Sequence, residues 1–387
     1  MANDSSLLKE KASKVLIIDD EEINREILAN IIKDECECLF AKDGDEGLAI
    51  LKKEAEDIDL VLLDLIMPKM DGIAFLKFKK ENPEISEIPV IVLTSDKEKE
   101  VECLKLGAMD FIKKPFESSE VILARIMRII EHYRANHITK KLDEIALEID
   151  DVYKSYGKKE VLKGISLYVK KGEIYGFVGK NGVGKSTTID AIVGLKDFNS
   201  GDIKIFGQSI KDDPVATKKL FGYVPSEPTA YELMTGKEFL EFIGSSYGMI
   251  QSSFDANYDF LKRKFDLPEA DLNRKISEYS HGMKQKVCLM ASLIHNPKLW
   301  VLDEPTVGLD IMVYEVLLRM LRDYAKAGNT IFITSHNIEL VSAICDKVAI
   351  VNEGKIAVEL DFKKEPYKRK DLKRVFFKVY GEGVENL

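Results

Sequence analysis

The sequence predicts an α/β protein in two consecutive units: first a doubly wound parallel sheet, then a second, larger α/β unit. Three observations carry this. Short apolar runs ending in Asp19-Asp20, Asp64, Thr94 and Lys114 alternate with amphipathic stretches in the first third of the chain. That alternation implies βαβ units and a parallel sheet. Further on, Ile174 to Val178 runs into Gly179-Lys180-Asn181-Gly182-Val183-Gly184-Lys185-Ser186-Thr187, a G-x-x-x-x-G-K-[ST] pattern between a strand and a helix. Finally, the apolar run Leu299-Trp300-Val301-Leu302 ends in the adjacent carboxylates Asp303 and Glu304.

In chain order, Val15 to Ile18 reads as a strand delivering Asp19 and Asp20, and Leu60 to Leu63 as one delivering Asp64. Pro89 to Leu93 leads to Thr94-Ser95, and Phe111-Ile112-Lys113-Lys114-Pro115-Phe116 closes the set. Ile23–Ile32, Gly44–Leu51 and Ile73–Lys80 supply the amphipathic stretches between them. Ligands of such sheets bind beyond the carboxyl ends of the strands. Chain order therefore converges three carboxylates, a hydroxyl and an ammonium on one crevice. Close carboxylates repel one another and invite a hard divalent cation with oxygen ligands, with Mg²⁺ the natural candidate. Asp64 can then attack a phosphoryl donor and form an acyl phosphate, with Lys114 and Thr94 contacting the phosphoryl oxygens.

With Met67-Pro68-Lys69-Met70-Asp71-Gly72 and the Lys114-Pro115 pair, residues 12–134 resemble a two-component response regulator receiver domain, whose sheet is flavodoxin-like. The resemblance implies Asp64 as phosphoacceptor and a sensor histidine kinase as phosphodonor. It implies Mg²⁺ held by Asp20, Asp64 and the Ile66 carbonyl, with Asp19 acting mostly through water. Thr94, Lys114 and Phe111 correspond to the switch. The plain alternative is a doubly wound domain with acidic loop ends and no phosphorylation.

Residues 135–146 link the units. Apolar spacing over Ser118–His132 predicts a last helix of the first unit. The polar stretch Arg134–Glu144 lacks Gly and Pro, so it reads either as a continuing stiff helix or as a passive, fraying tether.

In the second unit, Gly182 and Gly184 let successive N–H groups face a nucleotide's phosphates, the helix N-terminus adds its positive dipole end, and Lys185 adds a point charge. Ser186 offers a hydroxyl to Mg²⁺, Asp303 a carboxylate for its surroundings, and Glu304 a general base for the attacking water. The strand Thr330–Ile333 delivers Thr334-Ser335-His336, and Tyr279-Ser280-His281-Gly282-Met283-Lys284-Gln285 lies upstream. Together these resemble, over about residues 147–360, the nucleotide-binding domain of ABC ATPases, a P-loop NTPase fold with a helical subdomain. The resemblance implies ATP held at Gly179 to Thr187, adenine stacking on Tyr156, and a γ-phosphate switch at His336. It also implies a signature, Ser280, Gly282 and Met283, that closes a neighbour's site, and a dimer-contact aspartate at Asp310. Two departures stand out. His281 replaces the first signature glycine, and Ser226 occupies the expected glutamine position, with Glu227 beside it as a second candidate sensor.

Between residue 225 and about 278 lie Phe239, Phe242, Tyr247, Phe254, Tyr258 and Phe260, read chiefly as core and otherwise as a docking surface for transmembrane partners. Residues 361–387 form a C-terminal extension whose basic stretch leads to Val375–Tyr380. It reads as an amphipathic helix docked on the ATPase domain, with a membrane-surface role the alternative.

At 387 residues the chain holds two to three domains. Its first 141 residues carry −8 of the net −9, and neither part has the basic balance of a nucleic-acid binder. No run approaches 18 apolar residues, Met1 to Lys14 lacks an apolar signal core, and the five cysteines show no C-x-x-C pair. A cytoplasmic protein, peripheral at the inner face of the membrane, is expected. The functional expectation is the ATP-hydrolysing subunit of an exporter-like ABC transporter. It would work as a homodimer with a separately encoded transmembrane permease, under control of Asp64 phosphorylation. The alternative is a soluble signalling ATPase whose receiver controls ATP-driven dimerisation on a non-membrane partner. A third reading makes the ATPase a slow binding module, against which the intact Asp303-Glu304 pair argues.

Overall fold

The structure is a computed structural model that describes residues 12–381 except 96, 117, 228, 307, 308 and 310. The chain divides into two compact units, Met1–Lys141 and Leu142–Leu387.

The first unit runs β1 (Ser13–Ile18), α1 (Glu22–Ile32), β2 (Cys36–Ala41), α2 (Gly44–Glu54), β3 (Leu60–Asp64), α3 (Gly72–Glu81), β4 (Val90–Thr94), α4 (Lys97–Lys105), β5 (Asp110–Lys113) and α5 (Ser119–Asp143). All strands pair in parallel in the order β2-β1-β3-β4-β5. Helices cover both faces, so β3 and β4 are buried at every position and read as unbroken apolar runs. Alternate residues feed two cores: Leu16, Ile18 and Leu63 pack with Phe75, while Val15, Ile17 and Leu62 pack with Ile126. Asp71 caps α3 by accepting the Ala74 N–H at 2.7 Å. Next to it, Gly72 has no room for a side chain, because a Cβ would lie 2.4 Å from the Asp64 carbonyl oxygen. The loop after β3 is thus pulled against the strand that carries Asp64. Helix α4 lacks the periodicity that exposes the other helices in the sequence, and α5 runs on to Asp143.

The second unit begins with β6 (Ile145–Tyr156), β7 (Lys159–Lys170), β8 (Ile174–Val178), α6 (Lys185–Ile192), β9 (Ser200–Ile205), β10 (Gln208–Ser209), α7 (Pro214–Lys218) and β11 (Phe221–Val224). The helical insert follows as α8 (Gly236–Ser246), α9 (Gln251–Lys264) and α10 (Glu269–Leu272), leading into α11 (His281–Leu293). The chain then returns through β12 (Leu299–Asp303), α12 (Ile311–Lys326), β13 (Thr330–Ser335), α13 (Ile338–Ile344), β14 (Lys347–Asn352), β15 (Lys355–Asp361) and α14 (Lys368–Val379). The main sheet has the order β11-β12-β13-β8-β14-β15, parallel except for β15. A separate antiparallel sheet, β10-β9-β6-β7, packs its buried residues with Tyr175 and Phe177 of β8.

In the helical insert, Phe239, Phe254 and Tyr258 are buried while Phe242 and Phe260 are exposed. Tyr247 stacks on His295, ring centres 3.7 Å apart. Burial pushes the His295 imidazole down to about 4 against the opposing hydrogen bond to Phe221, so the neutral ring donates its Nε2–H to Phe221 O at 3.0 Å.

At the junction of insert and sheet, the backbone of β11 touches that of α11. A Cβ on Gly222 would lie 1.9 Å from the Ser292 carbonyl oxygen, and Trp300, buried on β12, donates its indole N–H to Ser292 Oγ at 3.0 Å. Gly222→Ala should therefore destabilise this unit by about 1–3 kcal/mol, the usual cost of overpacking. Trp300 is the only tryptophan, so denaturant unfolding followed by its fluorescence reads the effect. An unchanged midpoint would mean that the two backbones separate at no cost.

Candidate functional site

Parallel pairing in the first unit brings the ends of β1, β3, β4 and β5 to one edge. Asp19 is fully buried, Asp64 and Thr94 nearly so, and Asp20 is exposed at the rim. Carboxylate oxygens of Asp19, Asp20 and Asp64 lie within 4.8 Å of one another. The Lys114 ammonium bridges two of them, 2.8 Å from Asp19 Oδ2 and 3.0 Å from Asp64 Oδ1. The cluster is thus less bare than its sequence suggests, because a resident cation offsets the repulsion. Asp19 is further held by Glu21 N–H at 2.9 Å and by Asn24 Nδ2 at 3.1 and 3.2 Å. Burial raises the Asp64 carboxyl against the opposing pull of Lys114. Burial works to lower the Lys114 ammonium, but hydrogen bonds to Asp19 and Asp64 outweigh it and the net shift is upward. Asp64 stays within reach of solvent: the crevice is lined by Asp20, Asp64, Ile66, Thr94 and Lys114, and the Ile66 side chain is exposed. Phe111 is half-buried against the core beside Arg125, which donates to its carbonyl at 3.0 Å. Three hard oxygen donors around one open point fit Mg²⁺, and Asp20 and Asp64 could hold it.

In the second unit the registers Val178↔Ser335 and Asp303↔Thr334 set the ends of β8, β12 and β13 side by side. The phosphate loop closes on the first turn of α6, with Gly182 at φ 81° and Gly184 at φ 114°, a region L-residues avoid. Lys185 is buried, and its ammonium donates to Gly179 O at 2.7 Å and Lys180 O at 3.2 Å. It also lies 3.2 Å from Glu304 Oε1, an ion pair without hydrogen-bond alignment. Glu304 Oε2 accepts from His336 N–H at 3.1 Å and contacts His336 Nδ1 at 2.8 Å, so that nitrogen must carry a proton.

Glu304 itself sits at φ 48°, an uncommon conformation for a non-glycine residue. Thr334 holds it there: its carbonyl and hydroxyl both accept the Glu304 N–H, at 3.2 and 3.1 Å. The same hydroxyl donates to Asp303 Oδ1 at 2.6 Å. Burial raises the Asp303 carboxyl, with the Thr334 and Ser186 hydroxyls opposing that shift. One threonine thus orients both carboxylates. The sequence names it within Thr334-Ser335-His336 but carries no signal of this role. Asp303 and Ser186, joined by a hydrogen bond, could hold Mg²⁺, and Glu304 can take a proton from water.

Asn181, Ser186, Thr187, Ser226 and Glu227 line the same cavity as Glu304 and His336, and Val183 lies within the loop. Tyr156 is exposed elsewhere, with the Lys154 and Lys196 ammonium groups 5.0 and 5.8 Å from its ring centre. Ser280, Gly282 and Met283 head α11, where Ser280 Oγ caps the helix by accepting Met283 N–H at 3.2 Å. Among the described residues lining the phosphate-loop cavity, none belongs to this trio. Asp310 lies outside the described residues. No described helix is long and apolar enough to cross a membrane.

Comparison with known proteins finds both domains. A family profile described as ABC transporter matches residues 162–307, and one described as response regulator receiver domain matches residues 15–126. The chain is 37% identical over 210 residues to the linearmycin resistance ATP-binding protein LnrL of Bacillus subtilis (strain 168), covering 54% of this chain and 67% of that protein. It is 32% identical over 233 residues to the ABC transporter ATP-binding protein NatA of the same organism, covering 59% and 94%. A solved ATP-binding subunit of an ABC transporter superposes with a TM-score of 0.57 at 29% identity, covering 61% of this chain and 99% of that one. The chain therefore belongs to the ATP-binding proteins of ABC transporters, an ATPase that also carries a response regulator receiver domain.

Proposed function

We propose that this protein is the ATP-hydrolysing subunit of an exporter-like ABC transporter, working as a homodimer on a separately encoded permease and regulated by phosphorylation of Asp64. The observation that carries the reading is the Lys185–Glu304–His336 array beside the phosphate loop. ATP would lie along Gly179 to Thr187, with adenine on Tyr156. Lys185 would draw on the β- and γ-phosphates, and Ser186 and Asp303 would hold Mg²⁺, which neutralises developing charge when bound. Glu304 would take a proton from the attacking water as its oxygen bonds to the γ-phosphorus and the bond to the bridging oxygen breaks, releasing ADP. His336, hydrogen-bonded to Glu304, keeps the base oriented and faces the γ-phosphate. Ser226 and Glu227 line the same cavity and would sense its contents, a hydroxyl standing where an amide is usual with a carboxylate beside it.

Because Ser280, Gly282 and Met283 head a different helix, a second copy would bring them to the first copy's phosphates, which favours a two-fold dimer. In the receiver unit, an Asp64 oxygen would bond to the phosphorus of a histidine kinase's phosphoryl group as the bond to the donor nitrogen breaks. Lys114 and Thr94 would then turn to the new oxygens. Withdrawal of Lys114 from Asp19, with a turn of Thr94, would supply the switch that Phe111 follows.

Membrane fractionation of native cells tests the assignment as a whole. Co-purification with an integral membrane protein supports it, whereas recovery only with soluble partners would favour a signalling ATPase. Glu304→Gln should leave ATP binding intact and lower kcat by about 10²–10⁴-fold. Near-normal turnover would remove Glu304 from its role. Acetyl phosphate with Mg²⁺ should add one hydroxylamine-labile phosphoryl group, seen by intact mass and absent from Asp64→Asn or after EDTA treatment. Labelling that survives in Asp64→Asn would move the acceptor elsewhere. Coupling of the two units should appear as a change of about 5–150-fold in ATP-dependent dimer affinity of Glu304→Gln protein when beryllofluoride occupies Asp64. Equal affinity, with equal wild-type ATPase rates, would reduce the receiver to a tether.

A further inference from the structure

The residue that follows α14 reaches the phosphate loop. Tyr380 Oη accepts the Lys180 N–H at 2.9 Å and donates to the Val351 carbonyl near the end of β14. The Lys180 ammonium lies 4.7 Å from the centre of the same ring. Gly179 completes the contact: a Cβ there would sit 2.8 Å from Val351 O and 3.0 Å from Tyr380 Oη. The first glycine of the loop is thus required by close approach, whereas Gly182 and Gly184 are required by their positive φ.

The peptide unit between Gly179 and Lys180 is consequently held on both sides. Its carbonyl accepts the Lys185 ammonium, and its N–H is taken by Tyr380. Peptide planes are rigid, so fixing one end fixes the direction of the other. The tyrosine is itself well anchored. Leu372 and Phe376 of α14 are buried, the Phe376 and Tyr380 ring centres are 5.0 Å apart, and Asn352 Nδ2 donates to Val379 O at 3.4 Å. Burial raises the Tyr380 phenol, which keeps it protonated and able to donate and accept at once.

We propose that Tyr380 is a positioning residue of the ATP site: through the Gly179–Lys180 peptide it orients the carbonyl on which Lys185 rests, so that docking of α14 sets ATP affinity. The proposal rests on reading residues 179–187 as the ATP site. It is tested in the full chain with Tyr380→Phe, which keeps the ring and removes only the hydroxyl. Binding of fluorescent Mg–ATP analogue should weaken and KM for ATP should rise by about 3- to 10-fold, the span that one hydrogen bond represents, with kcat within twofold. Amide exchange at Lys180 should accelerate in the same variant. Phe254→Leu, buried in the helical insert away from α14, serves as the packing control and should lower the melting temperature without moving KM. Affinity and KM within twofold of wild type in Tyr380→Phe, or an equal rise in Phe254→Leu, would overturn the positioning role. Wild-type protein that bound no ATP would overturn the underlying reading instead, a separate result.

Discussion

Parallel strand pairing decides everything that follows in both units. In a parallel sheet every strand points the same way, so every carboxyl end opens on one edge and every crossover lies on a face. Asp19, Asp64, Thr94 and Lys114 are neighbours only because β1, β3, β4 and β5 end together, as are Gly179, Glu304 and His336 because β8, β12 and β13 do. The central strands β3, β4, β8, β12 and β13 are buried on both faces and so cannot slip by a residue without turning a core side chain into a mismatch. Register is thereby locked by apolar residues that touch no ligand, and chemistry is placed at the edge to within a hydrogen bond.

The two edges handle their negative charge differently. In the receiver unit the acidic residues are shared among a lysine, an asparagine and backbone N–H groups, leaving Asp20 and Asp64 facing the crevice. In the ATPase unit two adjacent carboxylates are parted by the uncommon backbone of Glu304. Thr334 fixes that turn, sending Asp303 toward Ser186 and Glu304 toward Lys185 and His336. Backbone of this kind persists where surrounding hydrogen bonds over-determine it.

What the sequence made legible is what lies contiguously along the chain. The phosphate loop, the Asp303-Glu304 pair, Thr334-Ser335-His336 and the four receiver strand ends are local motifs at the tips of apolar runs, and their meeting follows from topology. The antiparallel sheet of β6, β7, β9 and β10 was not foreseen, since its half-buried strands alternate irregularly. Helix α4 shows no apolar periodicity because six of the nine residues of Lys97–Lys105 are charged. Among the aromatics of the helical insert, identity could not separate the buried Phe254 from the exposed Phe260, because that depends on which helix face meets α11. Least legible of all was Tyr380, 200 residues away from the amide it binds. Nothing in a tyrosine near a basic helix announces such a partner.

The anchoring of α14 bears on how this chain can be cut and rebuilt. A boundary drawn after β15 leaves the whole six-stranded sheet intact and looks like a natural end. Yet Leu372 and Phe376 belong to the same core as Trp300 and Leu302. A shortened protein ending there would expose that core and lose the phenol that spans Lys180 and Val351. The true margin of the catalytic unit is thus set by the side chain at 380 rather than by the last strand, and any isolated ATPase fragment, fusion joint or affinity handle has to lie beyond it.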